Sequence, residues 1–488
     1  MQNNDNFDNL PLELFEIILN ELDSSFECSF EDVVNFIFLK KRFLNYVVEN
    51  KIVFIKDPNN YVNYSNNTSI ENERKILYNH KKAFGIERIK KCKILKFDVD
   101  TKGKINFPPN LKSVYFDYNF RQDIHNLPNT ITHIVSKRAA IIKWPKNLRY
   151  VELGNSLGRI NILPDDVEYL KIESDRTIKK LPNNLRYLEI INTSPKNIPI
   201  LPNTLTHLIL VNNSYDYLYR TYLFKNTMQT SIKSLKNLVY VEIDDINEYI
   251  EFSENVKHIK LGKQFNSQFL PSKNLKYLYL GNSYNVPLPN LPDSLEHLEI
   301  GNYFNQVIVN LPNNLIYLKL GNLYDHTLNH LPNNLKHLEI GNKFDQIITD
   351  LPENLTYLKI GNSYNKSFPN LPNNLETLIL GDQFNHCQHK LPNNILYLQL
   401  GKAFQQNLNV PKSLISLKIF SNYDKKIEYP IDFNLKTMTI SKHCEAYIPS
   451  SITVVRFNCN YECTKCPRAR TQIVAYGAQD VYDPNDIY

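Results

Sequence analysis

The sequence is short of glycine, methionine and tryptophan, with thirteen, three and one in 488 residues. The glycines are too few and too regularly placed for a GxGxxG or Walker-type loop, so phosphate cradling of that kind is excluded. No window of about eighteen apolar residues occurs, which excludes a helix spanning a membrane. An excess of one charge is also missing. Lys and Arg number 56 against 50 Asp and Glu, and a net charge of +6 gives no reason to expect nucleic acid as a partner. Seven cysteines, an odd number spread thinly, argue against a disulfide framework. The opening MQNNDNFDN lacks the basic-then-apolar pattern of a secretory signal. Together these predict an intracellular, cytoplasmic protein.

Catalytic patterns are missing as well. There is no GxSxG elbow, no HExxH and no Cys–His arrangement in a cleft-forming context, so the expectation is no enzyme, no catalytic residue and no cofactor. His443, Cys444, Cys459, Cys463 and Cys466 cluster near the C-terminus. Cys463-x-x-Cys466 has a zinc-like spacing but lacks a clear second pair, so the expectation is free thiols and no metal.

What the chain does have is a repeat. Residues 311–330 read LPNNLIYLKLGNLYDHTLNH, residues 331–350 read LPNNLKHLEIGNKFDQIITD, and six such units run in sequence from Leu291. Seven glycines, Gly281 to Gly401, stand twenty residues apart. A fixed period in this range marks a solenoid, in which each unit buries its apolar edge against its neighbours. The core pattern, apolar-x-x-apolar-x-apolar, extends in degenerate form from Leu111 to Ile452 and gives about eighteen coils of about twenty residues.

Within a coil such as 335–341, Leu338 and Ile340 alternate with His337 and Glu339, the period-two signature of a short strand. The glycine that follows allows a positive φ or an approach that a β-carbon would hinder. An aromatic three residues later (Phe304, Tyr324, Phe344, Tyr364, Phe384, Phe404) and a further apolar residue (Ile308, Leu328, Ile348, Phe368, Leu408) predict a second inner wall. Proline at each corner opposes helix, and turns or short extended segments are expected on the convex side. The abundant asparagine is read as a trace of genome composition.

The units resemble the FNIP repeat, a leucine-rich-repeat relative common in amoebal hosts and their giant viruses. The resemblance implies a mainly β solenoid with parallel strands and few helices. If the protein is viral, the cytoplasm is the host's.

Residues 9–48 do not fit the repeat and read as helices, with Leu14, Ile17, Ile18 and Leu22 on one face. Asn9-Leu-Pro-Leu-Glu-Leu-Phe-Glu-Ile-Ile-Leu19 resembles the first block of an F-box, and Asp32 to Phe43 fits the second. Lys40 and Phe43 stand where that family has Cys and Trp, and the link between the blocks is longer than usual. The resemblance implies a small α-helical F-box-like domain docking the Skp adaptor of a cullin-RING ubiquitin ligase. Leu10, Pro11, Leu14, Ile17, Ile18 and Phe43 would line that contact. On this reading the chain is a substrate receptor whose solenoid binds an unknown protein target. The other reading is a solenoid scaffold without a ligase link, its N-terminal helices acting only as a cap.

The expected organisation is a disordered stretch 1–8, the F-box-like domain 9–48, a helical linker 49–88, the solenoid 89–456 and a C-terminal cap and tail 457–488. An insertion at 213–234 interrupts the solenoid. A monomer is expected. On the strands, two exposed columns stand out. One carries Tyr or His, including Tyr150, Tyr169, Tyr187, Tyr240, Tyr277, Tyr317 and Tyr357, and is the candidate target-binding face. The other alternates Glu299, Lys319, Glu339 and Lys359. Both ladders could equally serve only to stabilise the sheet.

Overall fold

The computed structural model describes residues 94–97, 105, 107–154, 162–173, 180–191, 199–211, 232–244, 247–368, 370–386, 391–421, 423–441, 448–449, 452–458 and 472–476. The expected F-box-like domain, the linker, nearly all of the insertion and the cysteine cluster lie outside them.

The chain divides into two compact units, residues 1–187 and 188–488. The first holds β1 (Ile94–Phe97), β2 (Ser113–Phe116), β3 (His133–Ser136), β4 (Tyr150–Leu153) and β5 (Tyr169–Glu173), and ends at the first residue of β6 (Tyr187–Ile191). In the second, β7 (His207–Val211) and β8 (Tyr240–Ile243) flank the insertion. There follow β9 (Ile250–Glu251), β10 (His258–Leu261), β11 (Phe269–Leu270), β12 (Tyr277–Leu280), β13 (His297–Ile300) and β14 (Tyr317–Leu320). Next come β15 (His337–Ile340), β16 (Tyr357–Ile360), β17 (Thr377–Leu380), β18 (Tyr397–Leu400) and β19 (Leu408–Asn409). The chain closes with β20 (Ser416–Ile419), β21 (Ile427–Glu428), β22 (Thr437–Ser441), β23 (Val454–Asn458) and β24 (Gln472–Tyr476).

This is the parallel β-solenoid that the period predicts. Each expected coil carries a strand, and from β1 to β5 and again from β7 onward the strands of successive coils pair in parallel with like positions in register, as in Tyr317↔His337 and Leu318↔Leu338. The register follows from the alternation. Leu338 and Ile340 are buried while His337 and Glu339 stand half-exposed, and a slip of one residue would expose the leucines. Beyond Arg456, β24 pairs with β23 in register, so the capping segment carries a strand of its own.

The second wall is also present. Phe265, Tyr284, Phe304, Tyr324, Phe344, Tyr364, Phe384, Phe404 and Tyr423 are buried as one column, neighbouring ring centroids lying 5.8–6.4 Å apart. Ile308, Leu328, Ile348, Phe368 and Leu408 back it. The proline corners are tight turns, in which Leu315 N–H donates to the Pro312 carbonyl and Leu335 N–H to that of Pro332. Two short parallel pairs, β9 with β11 and β19 with β21, are the extended segments on that side.

Of the two reasons expected for the glycines that end the coils, the close approach holds: none of the nine has a positive φ, and the constraint is space. A β-carbon on Gly321 would sit 2.2 Å from the Gly301 carbonyl oxygen and 2.5 Å from the Asn322-equivalent Cα of the preceding coil, Asn302. The asparagine reading does need correction, because these residues are structural. Asn314, Asn334, Asn354, Asn374 and Asn394 each donate their side-chain amide to a carbonyl 21 residues earlier, at 2.8–3.1 Å. After the buried ring, Asn285, Asn305, Asp325, Asp345, Asn365 and Asn385 each accept the backbone N–H of the next coil at 2.8–3.1 Å. These ladders satisfy corner groups that neither sheet pairs.

Candidate functional site

Every tyrosine proposed for the target-binding face opens a strand, at the position pointing away from the core. Parallel strands about 4.8 Å apart bring equivalent side chains face to face. In the first unit His133, Tyr150, Tyr169 and Tyr187 stack with centroid separations of 5.3, 4.2 and 4.2 Å. In the second, His207, Tyr240, His258, Tyr277, His297, Tyr317, His337 and Tyr357 form a continuous ladder, narrowing to 3.9 Å between His337 and Tyr357. Stacked rings of this kind shield one another's faces and leave edges and polar tips outward.

The tips are tied down by the neighbouring column. Tyr240 Oη donates to Glu242 at 2.9 Å, Tyr397 Oη to Gln399 at 2.9 Å, and Tyr150 Oη to Glu152. His337 Nε2 meets Glu339 at 3.2 Å. Between coils, Lys319 pairs with Glu299 at 2.9 Å and Lys260 with Glu242 at 2.7 Å. In the first unit Lys137 pairs with Glu173 at 2.8 Å.

Burial disfavours the charged form of several of these rings. Burial, then Glu152 and Tyr169, push the Tyr150 phenol far up. Burial and Glu242 raise that of Tyr240, and burial with Glu339 and Glu299 that of Tyr317. Burial holds the His207, His258 and His297 imidazoles below their usual value. The face is an aromatic ridge bordered by a column of mixed charge.

Leu10, Pro11, Leu14, Ile17, Ile18 and Phe43 lie outside the described residues. Among the described residues no group of three His, Cys, Asp or Glu is placed to hold a metal ion, and no helix is long and apolar enough to cross a membrane.

The FNIP Repeat family model matches residues 272–303, 284–323, 304–343, 324–363, 344–383 and 364–403. No curated protein matches the sequence. Among solved structures the chain is similar to CroV588, described as a novel circular LRR protein, at 26% identity and a TM-score of 0.52. That alignment covers 75% of this chain and 66% of CroV588, so the chain spans just under two thirds of that protein. It is also similar to YopM from Yersinia pestis, at 21% identity and a TM-score of 0.42, covering 66% of this chain and 88% of that one. YopM from Yersinia enterocolitica matches at 17% identity and a TM-score of 0.39, covering 72% and 84%. Residues 272–403 thus carry FNIP repeats within a leucine-rich-repeat-like parallel β-solenoid, a fold suited to contacts between proteins and typically non-enzymatic.

Proposed function

We propose that the chain is a substrate receptor for a cullin-RING ubiquitin ligase, holding a protein target on the Tyr/His face and recruiting a Skp-type adaptor through residues 9–43. The observation that carries the target-binding half is the aromatic ridge. Tyrosine offers a large contact area at small entropic cost, with a polar tip for orientation, which suits a protein interface. The adaptor half is supported by the Leu10-Pro11 block and the apolar stripe of Leu14, Ile17 and Ile18. Such a receptor makes and breaks no bond itself. It raises the effective concentration of the target's lysines near the transfer machinery by binding two partners with one chain.

The test uses the whole chain and a purified Skp-type adaptor. Capture of the adaptor by the wild type, and its loss in Leu10→Asp and Ile17→Asp, supports the receptor. A wild-type chain that does not bind the adaptor leaves the scaffold reading, in which the solenoid brings proteins together without a ligase.

A further inference from the structure

The six units from Leu291 to Val410 turn the same residues inward. Strands β13 to β18 each bury a leucine at one position, at 298, 318, 338, 358, 378 and 398, and a glycine closes each strand. An inner face this uniform offers a leucine to the next-but-one coil as readily as to the next. Doubling the loop between two strands adds little closure entropy. Wrong stacking of like units is a characteristic failure of repeat chains. Neither the core nor the loop length therefore distinguishes the correct neighbour.

The outward residues do distinguish it. Glu299, Lys319, Glu339 and Lys359 hold one position on β13 to β16, each in register with the next. Lys319 Nζ pairs with Glu299 at 2.9 Å. Lys319 has a glutamate on the strand at either side, and Glu339 has a lysine at either side. His297 and His337 share strands with the glutamates, Tyr317 and Tyr357 with the lysines. A two-coil period is thus laid over a one-coil fold.

The alternation of sign continues where this column loses its charges. Ile379 and Gln399 take the position on β17 and β18. There the opposite pair moves to the residue after the glycine, and Asp382 meets Lys402 at 2.8 Å. At the junction of β12 and β13, Lys276 meets Glu296 at 2.6 Å.

We propose that these charges are a register device, selecting the next coil over the next-but-one while the array forms. In the native stack each junction from β13 to β16 sets Glu beside Lys. Skipping a coil would set Glu299 beside Glu339, or Lys319 beside Lys359, at the ~4.8 Å spacing of parallel strands, where like charges destabilise. Exposed pairs add little to the finished fold. Their effect lies in the choice between two stacks whose cores are alike. Ring identity does not make that choice, because Tyr150, Tyr169 and Tyr187 stack on one another at 4.2 Å in the first unit. The device needs no partner protein and stands independently of the target-binding reading.

The test refolds the whole chain with a reporter for a skipped coil, Ile316→Cys with Thr356→Cys. Lys336 lies between these positions, its N–H donating to the Ile316 carbonyl and its carbonyl accepting from Thr356 N–H. Two strand spacings, about 9.6 Å, exceed the ~7 Å that a disulfide spans between Cα atoms, so the native stack cannot form the link. Mass spectrometry of peptides separates it from links among the native cysteines. After refolding under oxidising conditions the link should be a trace. Adding Glu299→Gln, Lys319→Gln, Glu339→Gln and Lys359→Gln together should raise it at least about threefold. A link equally rare or equally abundant in the two chains overturns the device. If the neutral chain does not refold, Glu299→Lys is compared in two backgrounds by thermal melting. In the full chain it sets Lys beside Lys319 and should lower the melting temperature. In a chain lacking residues 311–330, where β13 meets β15, it sets Lys beside Glu339 and should raise it. A shift of the same sign in both backgrounds also overturns the device.

Discussion

The buried aromatic column is built from residues that differ by a single oxygen. Tyr423 Oη donates to the Gln406 carbonyl at 2.7 Å, whereas Tyr324 and Tyr364 bury their hydroxyls with no partner. A satisfied buried hydrogen bond contributes about 1 kcal/mol, while an unsatisfied buried polar group costs about 1–3 kcal/mol. Tyr423→Phe should therefore lower stability by about 1 kcal/mol. Tyr324→Phe should leave stability unchanged or raise it, since the Phe304 and Phe344 rings that flank it already pack without an oxygen. Chemical denaturation of the two variants beside wild type compares them directly. A clear loss in Tyr324→Phe would mean that the hydroxyl holds a partner of its own, such as a trapped water.

At the scale of the element, the outer ladder couples stability to pH. Burial first holds the His207, His258 and His297 imidazoles below the ordinary 6.5; His207, Lys257 and Lys276 add to it at His258, while at His297 Glu299 opposes it and His337 and Lys319 add to it. The unfolded chain therefore takes up protons at these positions while the folded chain resists them. Stability is complete above about pH 6.5 and falls as the pH is lowered through the window beneath it. Glu339 acts in the same direction at lower pH. Burial pushes its carboxyl up, but the His337 hydrogen bond and the charges of Lys359 and Lys319 outweigh that, and the net shift is down from 4.5. The stability it contributes is lost as the carboxylate protonates. Melting temperature should decline steadily from pH 7 to pH 5. The combined variant His207→Tyr, His258→Tyr and His297→Tyr, which follows the ladder's own usage, should flatten that decline. An unaltered slope would mean that other groups govern it.

The same elements show what a sequence can disclose. Leu338 and Ile340 announce a strand because burial repeats every second residue, and Gly341 recurs because the backbone of the neighbouring coil leaves no room for a β-carbon. These signals are local. The partner of Asn334 is the Asn333-position carbonyl of the coil before, Asn313, which becomes a neighbour only once the register is set. Composition alone therefore left the asparagines without a role. Thr377 is visible in the sequence as a break in the Tyr/His alternation. That it sits directly between Tyr357 and Tyr397 follows only from the register of the strands on either side.

For the molecule as a whole, the consequence of repetition is that cooperativity is short-ranged. Each coil contacts the one before and the one after, so stability is close to a sum of coil terms and nearest-neighbour terms. In the second unit, Leu338 is wholly buried between the like-placed Leu318 and Leu358. Leu338→Ala should cost about 2–5 kcal/mol by removing packed methyl groups and leaving a cavity. In a globular core that loss would be shared by every protected amide. Here it should be concentrated in β14, β15 and β16, which exchange their backbone hydrogens faster, while β8 and β10, several coils away, keep their protection. Hydrogen exchange followed by mass spectrometry resolves the two patterns. A uniform loss of protection from β8 to β20 would show that the unit unfolds as one body and that the nearest-neighbour description of the array is wrong.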